Sequence, residues 1–157
     1  MKFGALIAVL SVAAPLHVAA QGKLADYDTS KPASFAGTVD AVIVPPGELP
    51  VCLLMTVQNS GKSEQWVVAG DTFQVLRKAG WRFGPAGQVK PGTSASVSVF
   101  LPKPGSTAAQ ALGARLRDTM PAGISPVAES ALKAGRLAQG VDVKLADGKT
   151  LPFGPGR

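Results

Sequence analysis

From Ser34 the chain alternates. Phe35, Gly37, Val39, Ala41 and Ile43 fall on one side, and Ala36, Thr38 and Asp40 on the other. A period of two is the mark of a half-buried strand. Pro45 and Pro46 end it, because adjacent prolines cannot donate to a sheet ladder. Residues 51–58 form a second strand that is apolar on both faces for several positions, the pattern of a central strand. Asn59-Ser60-Gly61-Lys62 reads as a turn by composition, and Gln65-Trp66-Val67-Val68 as a third strand. Residues 94–101 alternate with unusual regularity, Ala95, Val97, Val99 and Leu101 inward against Ser94, Ser96 and Ser98. Val141, Val143 and Leu145 alternate against Asp142 and Lys144, and Asp147-Gly148 turns the chain into Lys149-Thr150-Leu151.

Between the third and fourth strands the period changes. Asp71 with Gln74 three residues on suits a helix N-terminus. Phe73, Leu76 and Ala79 form an inward stripe, Arg77 and Lys78 suit the last turn, and Gly80 suits the left-handed position that follows. Residues 106–134 are Ala-rich and read as one or two short helices around a break at Met120-Pro121-Ala122-Gly123. Ser106 and Ser125 are candidate caps, and Pro126 fits a first turn. The expected fold is mainly β: a small, partly open five-stranded barrel like the OB-fold, with one short helix after strand 3 and a helical or irregular excursion before the last strand.

The first twenty residues follow a different logic. Lys2 supplies a charge, residues 3–14 are apolar or small, Pro15 breaks the run, and Val18-Ala19-Ala20 sets small residues before Gln21. That order predicts an export signal cleaved near Ala20-Gln21 rather than a spanning helix. The expected organisation is a signal peptide over 1–20, an extended polar lead-in over 21–33, and one barrel domain over 34–157 with the insertion 106–134. The destination is the periplasm or the exterior, with no membrane insertion after cleavage.

Composition narrows the chemistry. Gly 18 and Pro 13 in 157 residues favour short elements and many turns. The formal charge of +6 loses one unit with Lys2, and the remaining charges are scattered, as solubility alone would require. The single histidine, His17, lies in the leader, so the mature chain has no imidazole for a Ser-His or Cys-His pair or a His-built metal site. The single cysteine, Cys52, sits in the run Val51-Cys52-Leu53-Leu54-Met55, where packing is the expected role and a reactive or intermolecularly paired thiol the alternative. Asp26 and Asp28 lack a nearby ligand set, and Asp142 and Asp147 read as a strand residue and a turn former. No catalytic residue, metal or cofactor is expected.

Phe35-Ala36-Gly37-Thr38-Val39, Gln65-Trp66-Val67-Val68, Leu76-Arg77-Lys78-Ala79-Gly80-Trp81, Lys90-Pro91-Gly92, and the stretch from Val143 to Leu151 stand in an order that resembles a family of small exported bacterial proteins of unknown function with a predicted OB-like β-barrel. The resemblance covers most of 34–101 and 136–153 and implies a fold and a compartment but no activity. Where that family carries an Asn-Pro-His turn, this chain has Pro45-Pro46-Gly47-Glu48, so no role of that histidine carries over.

The run Trp81-Arg82-Phe83, with Arg77 and Lys78 before it and Lys90 beyond, can grip a planar or anionic ligand by stacking and charge. The preferred alternative is that Trp81 and Phe73 plug one end of the barrel while Arg82 points to water, because aromatics at element junctions usually belong to the core; Trp66 on its strand has the same two readings. The candidate ligand-binding residues are Trp66, Arg77, Trp81, Arg82 and Lys90. The expected function is a binding or accessory domain without catalytic activity, taking an anionic or aromatic small ligand or an envelope protein, and no nucleic acid. A structural or oligomerising subunit that packs through 106–134, and a thiol-dependent enzyme centred on Cys52, are the alternatives.

Overall fold

Alternating strands joined by tight turns give β1 (Ala33–Ile43), β2 (Pro50–Asn59), β3 (Lys62–Thr72), β4 (Ser94–Phe100), β5 (Leu137–Leu145) and β6 (Thr150–Pro152). Helices α1 (Phe73–Lys78), α2 (Ala108–Thr119) and α3 (Pro126–Lys133) interrupt them after β3 and β4. The computed structural model describes residues 24–155; the expected leader and its cleavage position lie outside the described residues.

The sheet order is β3-β2-β1-β4-β5-β6, and every neighbour in it is antiparallel. A further, parallel pairing of β3 with β5 (Val67 with Leu137, Val68 with Ala138, Ala69 with Gln139) joins the ends. The five-stranded barrel is therefore closed rather than partly open, with β6 as an extra strand beside β5. Closure pairs both edges of the barrel sheet at the seam, leaving the start of β3, before Val67, without a second strand partner. The tail reinforces the seam, since Asp71 N donates to Phe153 O at 2.7 Å and Phe153 N to Val141 O at 2.9 Å. The β2–β3 turn is tight because Ser60 (φ 51°) and Gly61 (φ 79°) both take the left-handed backbone that two-residue hairpins require.

Two apolar layers share the wall. Val39, Val51, Leu53, Met55, Val57, Val68, Val97, Val99 and Val143 fill the barrel. Cys52, Leu54, Val67, Ala69 and Leu137, on the opposite face, are covered by Leu112 and Leu116 of α2 and Ala128, Ala131 and Leu132 of α3. This is why β2 is apolar on both faces: it has a core inside and helices outside. The insertion is thus a second layer, and α2 runs unbroken through Gly113, which packs on Leu132. Arg117 of α2 meets Glu129 of α3 at 3.8 Å. Ser125 caps α3 by accepting from Ala128 N at 3.2 Å, with Pro126 at its first turn as expected, and Ser106 Oγ accepts from Ala108 N at 3.2 Å before α2.

Three local expectations are corrected. Residues of β1 do not keep one face throughout. A bulge between Val39 and Ala41 turns Ile43 to the outer layer and brings Val42 against the barrel core. The cap of α1 is Thr72, accepting from Val75 N at 3.4 Å, not Asp71, and Ala79 is exposed as the C-cap. The lead-in is not simply extended and polar: Tyr27 is buried and bridges to Pro102, with Asp28 N on Leu101 O and Lys103 N on Asp26 O, both at 2.8 Å.

Candidate functional site

The end of α1 sets the geometry of the loop that follows. Gly80 takes φ 101°, which lets Gly80 N reach Arg77 O (3.1 Å) and Trp81 N reach Leu76 O (3.0 Å), the paired bonds of a Schellman cap. The cap turns Trp81 back under the barrel. Only 3% of Trp81 is exposed, and its indole N–H donates to Pro152 O. From there the aromatics form a file. The rings of Trp81 and Phe153 lie 5.2 Å apart, those of Trp81 and Phe83 stack at 5.8 Å, and those of Phe83 and Phe73 lie at 5.1 Å. The Arg77 guanidinium closes the file, 5.7 Å from the centre of the Phe73 ring. These spacings are those at which aromatic pairs and cations over ring faces attract.

The loop after Trp81 is held open by side-chain bonds. Gln88 accepts from Arg82 N at 2.7 Å and donates to Gly80 O at 2.9 Å. At its far end, Gly92 N donates to Val39 O and Val39 N to Thr93 O, both at 2.8 Å, which ties the loop to β1. Between this loop and the end of β1 lies a groove of about 550 Å³, walled by Val42, Val44, Phe83, Pro85 and Pro91 with Lys90 at its edge. Val44 leaves 38% of its surface exposed there, one of three large apolar side chains so exposed among the described residues.

The loop side of the groove is rich in cations, while its β1 side lies between Asp40 and Glu48. No carboxylate occurs between Asp71 and Asp118, a span holding Arg77, Lys78, Arg82, Lys90 and Lys103. Among the described residues none of Arg77, Lys78, Arg82 or Lys90 makes an ion pair, and all four are exposed.

Of the five residues expected to bind ligand, four fall into two pairs and one lies elsewhere. Arg77 and Trp81 belong to the aromatic file, while Lys90 lines the groove and Arg82 precedes its wall Phe83 in the chain. Trp81 serves as the plug of the barrel, so its ring supports the site from beneath rather than lining it. Trp66 stands apart. It packs on Phe35 of β1 at 4.9 Å, and its indole N–H donates to Glu64 at 3.1 Å. That bond, with Asn59, holds the Glu64 carboxyl below its ordinary range. The groove walls Val42, Val44, Pro85 and Pro91 were not expected from the sequence. The apolar run Val42-Ile43-Val44 ahead of Pro45 was the available signal.

Cys52 is fully buried beneath the helical layer, with its thiol directed at Pro50 O (3.5 Å), and burial pushes the thiol up to about 12. Its thiolate form is disfavoured, and no histidine lies among the described residues to take its proton. Asp147 accepts from Lys149 N at 2.9 Å as a turn former. Among the described residues no group of three or more His, Cys, Asp or Glu side chains is arranged to hold a metal ion, and no helix is long and apolar enough to cross a membrane. Comparison of the chain with protein-family models, curated proteins and solved structures found no match in any of the three.

Proposed function

We propose that this chain is an exported, non-catalytic binding domain that takes a small anionic aromatic ligand in the groove between β1 and the loop after α1. The observation that carries the reading is the groove itself: an apolar trough of about 550 Å³ with Lys90 in its lining, no carboxylate among its lining residues, and Arg82 next to its wall Phe83 in the chain. A flat apolar body suits Phe83, Val42 and the two prolines, while a carboxylate or sulfonate on that body answers the cations. The volume lies in the range of pockets that enclose a small molecule.

Other observations support a holding role over a transforming one. The single thiol is buried and hard to ionise, and no metal-holding cluster occurs among the described residues. The outer face of β2 and β3, which open OB-like barrels use for oligonucleotides, is covered here by α2 and α3, which disfavours nucleic acid. The same packing weakens the subunit reading, because the apolar side chains of 106–134 are largely spent on their own barrel. Export rests on the order of charge, apolar run and small residues over 1–20, and intact-mass measurement of protein recovered from the cell envelope tests it.

Titration of the purified chain with 2-naphthoate, followed by tryptophan fluorescence or calorimetry, tests the binding. Saturable binding that weakens with salt is expected, because exposed charges are screened. The double change Arg82→Glu with Lys90→Glu is expected to weaken it by about tenfold or more, the scale of losing charge-assisted contacts. Binding that ignores both salt and charge reversal would sink the reading.

A further inference from the structure

A second cleft, separate from the groove above in every lining residue, opens beneath α2 where the barrel closes. It holds about 210 Å³ between the turn around Tyr27, the start of β2, the β3–β5 seam and the face of α2. Its floor is built from two buried polar side chains. Gln139 is 5% exposed, and its Nε2 donates to Ala69 O at 2.8 Å and Gly140 O at 3.1 Å. Two carbonyl partners fix which way the amide lies, because only the NH₂ end can serve both. Oε1 therefore faces away from the seam. Among the described residues it has no hydrogen-bond partner, and neither has the hydroxyl of Tyr27, also 5% exposed. Yet no side-chain polar atom among the described residues is sealed from solvent without a partner. Both oxygens accordingly reach open space; Gln139 lines this cleft only, whereas Tyr27 lines it and also a neighbouring hollow beside Phe100 and Lys103.

The rim carries charge of both signs. Asp26, Glu48 and Arg115 line the same cleft and are exposed. Two carboxylates around one mouth is an unusual concentration in a chain of formal charge +6. The rest of the lining is small or aliphatic, Leu112 and Leu137 among it. An acceptor that opens into such a cleft without a protein donor is left to water or to a ligand that supplies the donor in its place.

We propose that this cleft binds a small zwitterion of the α-amino acid class. Its ammonium group meets Gln139 Oε1 and the Asp26 and Glu48 carboxylates, its carboxylate meets Arg115, and its short apolar side chain rests on Leu112 and Leu137. The Tyr27 hydroxyl, able to donate or accept, serves either end. The volume restricts the ligand to a molecule of few heavy atoms, so the contacts available to hold it are few.

The test is titration of the ¹⁵N-labelled full chain with L-leucine, L-alanine, n-butylamine and butyrate, watching the backbone amides of Gly70, Ala111, Leu112 and Gln139. Saturable shifts confined to that set are expected for an amino acid, with the amine and the carboxylate each about tenfold weaker or worse. Arg115→Ala is expected to weaken the amino acid about tenfold while leaving butylamine unchanged, and Asp26→Asn with Glu48→Gln to weaken both. All three substitutions are at exposed positions, and Arg115→Glu provides a second variant should one alter the fold. The proposal is overturned by an absence of saturable shifts with either amino acid, by butylamine or butyrate binding as tightly as leucine, or by leucine binding that survives the loss of Arg115.

Discussion

At the scale of single residues, the seam of the barrel depends on what two glycines leave out. Phe153 is fully buried, and a Cβ on Gly140 would stand 2.4 Å from its Cδ1, one on Gly70 2.5 Å from its Cε2. Truncating the ring and filling its socket are therefore opposite changes that both harm the fold. Phe153→Ala is expected to cost about 3–5 kcal/mol by the usual scale for a buried phenylalanine. Gly140→Ala is expected to destabilise as well, but by at least about 1 kcal/mol less when Phe153 is already alanine, because contacting pairs couple. Urea unfolding of the two single variants and the double variant measures the coupling, and additive losses would show that the glycine matters for some other reason. Val68 Cγ1, 2.9 Å from the same added Cβ, keeps the coupling from being complete.

Cys52 offers a prediction in pH. Its thiol is raised from 9.0 to about 12 by burial, so the folded chain holds the proton that the unfolded chain gives up. The stability linked to that proton is complete below about 9 and is lost as pH climbs towards about 12. Cys52→Ala is expected to flatten the alkaline limb of stability across that window, as measured by denaturant midpoints at successive pH values. Some slope remains, because burial also raises the Tyr27 hydroxyl above its ordinary value. An unchanged alkaline limb would show that the thiol titrates alike in the folded and unfolded chain.

Among the elements, the helices show which local signals carry to structure. Ser125 with Pro126 was readable as a helix start because both residues act within one turn of chain, and Ser125→Ala is expected to cost about 1 kcal/mol, with hydrogen exchange of α3 amides quickening before those of β2. The start of α1 was less distinct. Asp71 and Thr72 are both good caps, and only the length of β3 decides that Thr72 takes the role. The bulge in β1 was invisible, because the alternation from Phe35 to Ile43 runs straight through Asp40 as though no residue were extra. That hidden bulge is also why half the groove went unseen. It redirects the end of β1 towards a loop some forty residues away in sequence, so Val42 and Val44 become groove walls. Trp81, Arg82 and Lys90 were legible from residue type alone, whereas the assignment of Trp81 as plug and Phe83 as wall needed the Schellman turn in three dimensions.

For the whole molecule, the decisive feature is a wall with a core on each side. Strand β2 gives Val51, Leu53, Met55 and Val57 to the barrel and Cys52 and Leu54 to the helical layer, and β3 and β5 divide their side chains likewise. Neither layer can be lost without exposing one face of strands the other layer needs. The helices are short, eight residues in α3 and twelve in α2, and helices of that length have little stability unless packed. The chain is therefore expected to unfold in one transition. Both tryptophans report on the barrel, Trp81 from its plug and Trp66 from its wall, while the far-ultraviolet helical signal reports largely on α2 and α3. Urea curves from tryptophan fluorescence and from circular dichroism at the helical band should coincide in midpoint and slope. Leu116, fully buried at the centre of the outer layer, sharpens the test: Leu116→Ala should lower both curves together by about 2–5 kcal/mol. A helical signal that melts first while fluorescence holds would mean that the barrel stands without its cover, and that the outer face of β2 and β3 is open to a partner after all.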